Sequence, residues 1–137
     1  MPYYSKRSWK NLLTVHKDLQ EVFAVVIQHF DNTIVWGYRG REAQNLAFME
    51  GKSTKAWPDS THNREPSDAV DAYPYPIDYD DIQRWHYFAG FVMGVAAALY
   101  ELGKIKSRLR WGGDWDRDTE LKDEKFRDLG HFERRDA

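Results

Sequence analysis

A chain of 137 residues with 42% hydrophobic and 15% aromatic content has material for one compact core and not two, so a single domain over residues 1–137 is expected. Twenty Lys and Arg against 22 Asp and Glu leave a net charge of −2, which offers no basic field to nucleic acid or anionic lipid. The absence of cysteine excludes disulfide frameworks, thiolate nucleophiles and Cys-ligated metal centres, so any transition metal must be held by His and carboxylate groups.

The opening stretch, Met1-Pro2-Tyr3-Tyr4-Ser5-Lys6-Arg7, has neither an apolar run nor a small-residue cleavage site, and no secretory signal is expected. Val15, Leu19, Val22, Phe23, Val26 and Phe30 recur at steps of three and four. That spacing predicts a helix over 14–30, capped by Thr14 and closed by Asp31-Asn32. Thr33 to Arg39 is β-branched and aromatic, a strand ending at Gly40. Arg41 to Glu50 reads as a short helix stopped by Gly51. Lys52 to Pro66 carries Ser, Thr, Asp, Asn and two prolines with almost no apolar residue, a long loop of the kind that carries function. Ala69 to Tyr73 is a short buried strand, and the Pro74-Tyr75-Pro76 that follows must leave any central sheet.

Asp80 or Asp81 then caps a helix through Ile82, Trp85, Phe88, Ala89, Val92, Ala96 and Leu99 to a stop at Gly103. Its uncharged run, Tyr87 to Tyr100, is shorter than the roughly 18 to 20 residues that cross a bilayer. It reads as a core helix, packed closely on a sheet through Gly90 and Gly94. Lys104 to Trp111 is a further strand, Gly112-Gly113-Asp114-Trp115 turns away from it, Asp116 to Arg127 is a solvated loop or ragged helix, and His131 to Arg134 a final strand. These elements give an α+β fold, helices packed on a small, mainly antiparallel sheet.

Chemistry concentrates near two of the five histidines. His16, His29 and His86 read as helix side chains without a ligand role. His62 lies in the polar loop, just before a strand whose alternation turns Asp71 away from Val70 and Ala72. A carboxylate in an otherwise apolar strand needs a partner. On the last strand His131 and Glu133 share one face and Phe132 takes the other, with Gly130 removing bulk beside the imidazole. His62, Asp71 and His131 together would make a three-ligand tetrahedral Zn2+ site with an open fourth position. Zinc lowers the pKa of bound water toward about 7 and polarises a scissile carbonyl. Asp128 is the general base to take the water proton, with Glu133 as its competitor, and Arg39 can meet a developing oxyanion. Without an H-E-x-x-H helix, the same residues also suit a solvated loop beside a core histidine. Trp36, Trp111 and Trp115 suit either a groove or core and rim packing, and the carboxylates from Asp114 to Asp128 read as a solvated face.

Five stretches carry a family resemblance: Gly37-Tyr38-Arg39 with Gln44; Ser60-x-His62 followed by Ala69-Val70-Asp71; Pro74-Tyr75-Pro76-Ile77-Asp78; Arg110 to Asp116; and Asp128-x-x-His131-Phe132-Glu133. In this order, across Ser8 to Glu133, they resemble the zinc peptidases of D-alanyl-D-alanine carboxypeptidase and dipeptidase type, and within them the phage endolysins that act as L-alanyl-D-glutamate endopeptidases. The resemblance implies His62, Asp71 and His131 as zinc ligands, Asp128 as catalytic acid/base and Arg39 as the group stabilising the transition state. It implies Ser60, Gln44 and Glu133 as supporting or substrate-contacting positions. Bacterial peptidoglycan would be the substrate of a monomer that inserts in no membrane and waits in the host cytoplasm until let through to the wall. The chain departs from the family's S-x-H-x-x-G-x-A-x-D run at Asn63 to Ser67, which holds no glycine. A D-alanyl-D-alanine carboxypeptidase on the same site, or a non-catalytic wall-binding or phage structural protein, are the alternative readings.

Overall fold

The computed structural model describes residues 2–122 and 127–135. The chain forms helices α1 (Lys6–Leu12), α2 (Lys17–Val26), α3 (Arg41–Met49) and α4 (Ile82–Glu101) and strands β1 (Asn32–Trp36), β2 (Ala69–Pro74), β3 (Arg108–Gly112) and β4 (Asp128–Arg135), with a 3₁₀ turn at Thr61–Asn63. All strand pairs are antiparallel, in the order β1-β2-β4-β3. The α+β architecture and antiparallel sheet are therefore those expected from the sequence. Among the described residues, no helix is long and apolar enough to cross a membrane.

The pleat divides the two central strands between two environments. Val70, Ala72 and Phe132 are fully buried on the face covered by α2 and α4. There Phe23 and Phe88 meet the Phe132 ring edge-on at 5.8 and 6.1 Å. Asp71, His131 and Glu133 alternate with them and line a groove on the other face. Each fully buried apolar side chain of this kind contributes about 1.5–3 kcal/mol, so the apolar face fixes which residues the groove receives.

Several elements differ from expectation, each for a tertiary reason. The helix predicted over 14–30 begins at Lys17 with His16 as its cap, whose Nδ1 accepts the Asp18 amide. Val15 is bridged to Ser67 instead of entering the helix: the Ser67 amide donates to Thr14 O at 3.0 Å and the His16 amide to Ser67 O at 2.9 Å. Thr14 is instead a tie between segments, its hydroxyl accepting the Tyr38 amide and donating to Asn11 O. The helix ends at Val26, and Phe30 packs from the following turn against Phe88 and Tyr87. The polar first segment forms α1, capped by Ser5. β1 closes at Trp36, after a register shift between Ile34 and Trp36. β3 starts four residues later than predicted because Lys106 N and Ser107 Oγ bond Asp18 instead of a strand. β4 is longer than predicted at both ends. Residues 116–122 form turns and bends, and the rest of the predicted loop or ragged helix falls partly on 123–126, outside the described residues.

Helix α4 is the core helix expected, capped by Asp81, but Gly90 and Gly94 are not where it meets the sheet. Both are exposed, with open space where a Cβ would stand. The packed face is Trp85, Phe88, Ala89, Val92 and Ala96.

Candidate active site

Each candidate ligand position is set by ordinary backbone constraints. Asp71 and His131 are directly paired across β2 and β4, so the strand register brings their side chains together. His62 arrives from the 3₁₀ turn, which is pinned at both ends. Ser60 Oγ accepts the His62 amide, Asn63 Oδ1 accepts the Ser60 amide, and the Arg39 amide donates to His62 O at 2.9 Å. The segment Arg64 to Ser67 then returns to β2, with the Asp68 amide bonded to Thr61 O.

His62, Asp71 and His131 are all buried, and one ligand atom from each lies within 4.8 Å of the others. Asp71 Oδ1 stands 3.1 Å from both His62 Nε2 and His131 Nδ1. The far nitrogen of each ring is already committed: His62 Nδ1–H donates to Gly37 O at 2.8 Å, and His131 Nε2–H donates to Glu133 Oε1 at 2.9 Å. With an ion bound between the rings and Asp71, each imidazole would keep the proton on its far nitrogen and offer the near nitrogen to the metal. The 3.1 Å separations are close to the roughly 3.3 Å edge of a tetrahedron with bonds of about 2.05 Å. Donor chemistry and spacing both fit a cation, and the trio is a group able to hold a metal ion.

Electrostatics follow from this crowding. Burial opposes ionisation of Asp71, yet the charge and bonds of the two imidazoles outweigh it and hold the carboxyl far below its usual range. Burial likewise works against a charged His131, but its bonds to Asp71 and Glu133 push it up to about 10. For Glu133, burial is outweighed by His131 and Arg110, which bring it down to about 2. Asp128 shifts the other way, raised first by burial and then by the charge of Asp71.

The groove beside the trio measures about 1020 Å³ and is bordered by Arg39, Ser60, Tyr73, Trp115 and Asp128. Asp128 is partly exposed and makes no side-chain hydrogen bond among the described residues. Arg39 is 8% exposed, lies over the Trp36 ring and has a buried Nε without a hydrogen-bond partner. Ser60 borders the groove and caps the turn that carries His62. Glu133 borders it too, but both its oxygens are engaged, Oε2 by Arg110 at 2.8 Å and Arg135 at 3.2 Å. That occupancy suits neither a general base nor a free substrate contact. Gln44, expected to support the site or contact substrate, is fully buried away from the groove lining. Its amide donates to Ser53 Oγ and Lys55 O and accepts from Asn63, which makes it a strut between α3 and the polar loop. Trp36 and Trp115 face the groove and Trp111 the core. His16, His29 and His86 stand outside the trio.

Sequence reasoning missed Asn63 and Asp68. Asn63 completes a capping box with Ser60, a signal readable in the Ser-x-x-Asn spacing. Asp68 accepts from Arg64 and Arg134, each at 2.9 Å, and so ties the loop to β4. No local pattern announces a partner 66 residues away. Asp114, Asp116 and Asp118 also offer oxygens within 4.8 Å of one another, on a more exposed turn.

A His-Asp-His group able to hold a metal ion therefore lines a groove on the open face of the sheet. A family model for the phage L-alanyl-D-glutamate peptidases matches residues 2–134, and the chain belongs to that family. It is accordingly a peptidase of the L-alanyl-D-glutamate bond of peptidoglycan. Among solved structures, the chain is similar to the L-Ala D-Glu endopeptidase ChiX of Serratia marcescens. The TM-score is 0.67 at 21% identity, covering 96% of this chain and 89% of that one. No curated protein matches the sequence.

Proposed function

We propose that the protein is a Zn2+-dependent endopeptidase in which His62, Asp71 and His131 hold the ion and Asp128 carries the proton of the hydrolytic water. The observation that supports this reading is the pair of imidazoles whose far nitrogens donate to Gly37 O and Glu133, while both near nitrogens converge on Asp71 Oδ1 at 3.1 Å, the spacing at which one ion can replace their protons. When bound, the ion supplies Lewis acidity toward water and the scissile carbonyl. Asp128 borders the groove with its pKa raised, a carboxylate suited to take a proton from water as the oxygen attacks the carbonyl carbon. As the C–N bond breaks, the same group returns that proton to the departing D-glutamyl nitrogen. Arg39 supplies fixed positive charge where the carbonyl oxygen becomes negative. Ser60 keeps His62 in place and offers a polar edge to the peptide. The protein works as a monomer on the wall, reaching it from the host cytoplasm.

The test is metal content measured together with products released from purified sacculi. One bound zinc, loss of activity on chelation, recovery with zinc, and stems released with a new D-glutamyl amino terminus are expected. Full activity in a metal-free preparation would overturn the zinc assignment, and free D-alanine from intact stems would favour carboxypeptidase action.

A further inference from the structure

Arg110, on β3, touches none of the three residues of the trio, yet two routes lead from it to His131. Through one, its Nη2 holds Glu133 Oε2 at 2.8 Å, and Glu133 Oε1 accepts His131 Nε2–H at 2.9 Å. Through the other, its Nη1 donates to Trp115 O at 3.2 Å and its guanidinium covers the Trp115 ring at 5.2 Å. The opposite end of that contact is the His131 imidazole, 5.5 Å from Trp115 between ring centres. One route fixes the tautomer of His131 and the other restrains the plane of its ring.

We infer that Arg110 is the positioning residue for His131, acting through Glu133 and Trp115. The guanidinium is the group the job requires. It is planar, presents donors in a fixed fork that reaches a carboxylate and a carbonyl at once, and stacks on an indole. An ammonium at the same place reaches one acceptor at a time and does not stack as a plane. Arg135 also contacts Glu133, at 3.2 Å, but among the described residues it is Arg110 whose guanidinium lies over the Trp115 ring. Outer partners of metal-binding histidines typically alter affinity by about 10- to 100-fold when removed.

This inference rests on the proposed metal site, and its test separates the two. Zinc affinity is measured by chelator competition for the parent, Arg110→Lys, Arg110→Met and, as a control on the same strand, Arg108→Met, which removes a stack on Tyr100 away from the trio. Thermal melts verify folding, and the lysine variant retains charge and much of the packing. Expected are affinities about 10- to 100-fold weaker for both Arg110 variants and a parent-like value for Arg108→Met. Long-range nitrogen–proton NMR spectra of the zinc-loaded protein should show a single Nε2–H tautomer of His131 in the parent and broadened or mixed signals in Arg110→Lys. In a cycle with Glu133→Gln, the double variant should lose less than the sum of the singles, because one route is cut twice. Folded Arg110 variants with parent-like zinc affinity and only a raised KM would overturn the inference and make Arg110 a substrate contact. A parent that binds no zinc would overturn the site itself.

Discussion

Replacing Asp128 with Asn exchanges one carboxylate oxygen for an amide nitrogen at nearly the same shape and removes the group proposed to accept the water proton. The side chain is partly exposed and has no side-chain hydrogen bond among the described residues to lose. It also feels the negative charge of Asp71, so neutralising it relieves a repulsion. Folding stability is therefore expected to stay within about 0.5 kcal/mol of the parent, and zinc to remain bound. The chemical step has no such compensation. A positioned acid/base contributes about 10²- to 10⁴-fold, equivalent to about 3–5 kcal/mol of barrier. Initial rates of stem release from sacculi, metal content and a thermal melt, run on one preparation, separate these effects. The expected result is unchanged metal and melting with kcat reduced by about 10²-fold or more. A parent-like rate would remove Asp128 from the mechanism. Loss of zinc with the rate would make it a ligand instead.

Gln44→Ala deprives Ser53, Lys55 and Asn63 of a buried partner and should cost about 1–3 kcal/mol in denaturant unfolding with KM unchanged. A raised KM at parent stability would return Gln44 to the substrate. Gly90→Ala and Gly94→Ala fill open space on the exposed face of α4, and each should stabilise by about 0.5–1 kcal/mol; destabilisation would mean that this face is packed in solution. For Asp18, burial opposes ionisation, but the Ser107 hydroxyl and the amides of Lys106 and Ser107 outweigh it, so its folded pKa lies below the ordinary value. The stability it adds is complete above the unfolded pKa of about 3.9 and is lost as pH falls through the folded value. Unfolding midpoints should therefore decline below about pH 4, less steeply in Asp18→Asn. Equal slopes in the two proteins would refute that role.

What could be read from the sequence is what period and local chemistry encode. Alternation in Ala69-Val70-Asp71-Ala72 and in His131-Phe132-Glu133 assigns faces correctly, because every second residue of a strand shares a side. The Asp81 cap and the Gly51 stop are likewise local signals. The early start at Thr14 is not correctable from the periodicity, since Val15 belongs to the same core as Leu19 and only its bridge to Ser67 keeps it out of the helix. The placement of Gly90 and Gly94 fails for a related reason: small residues suit both a close contact and an exposed face, and their azimuth on α4 decides. Gln44 stands out in the sequence as a polar residue of a matching stretch, and Glu133 as one that shares a strand face with His131. Burial and prior commitment to protein partners are properties of the folded chain alone.

The two faces of the central strands also depend on each other. Val70 pairs with Phe132, and the next rung pairs Asp71 with His131. A slip of β4 by one residue against β2 would send Phe132 into the groove and His131 and Glu133 into the core. The loss would be about 1.5–3 kcal/mol for each displaced apolar side chain, plus the cost of stranding buried charge. The apolar rung thus excludes the wrong register even before the trio is assembled, and the trio's 3.1 Å spacings are delivered by packing on the opposite side of the sheet. Its polar groups do not need to provide that energy themselves, which leaves Asp71, burdened by burial, free to be retained for its chemistry.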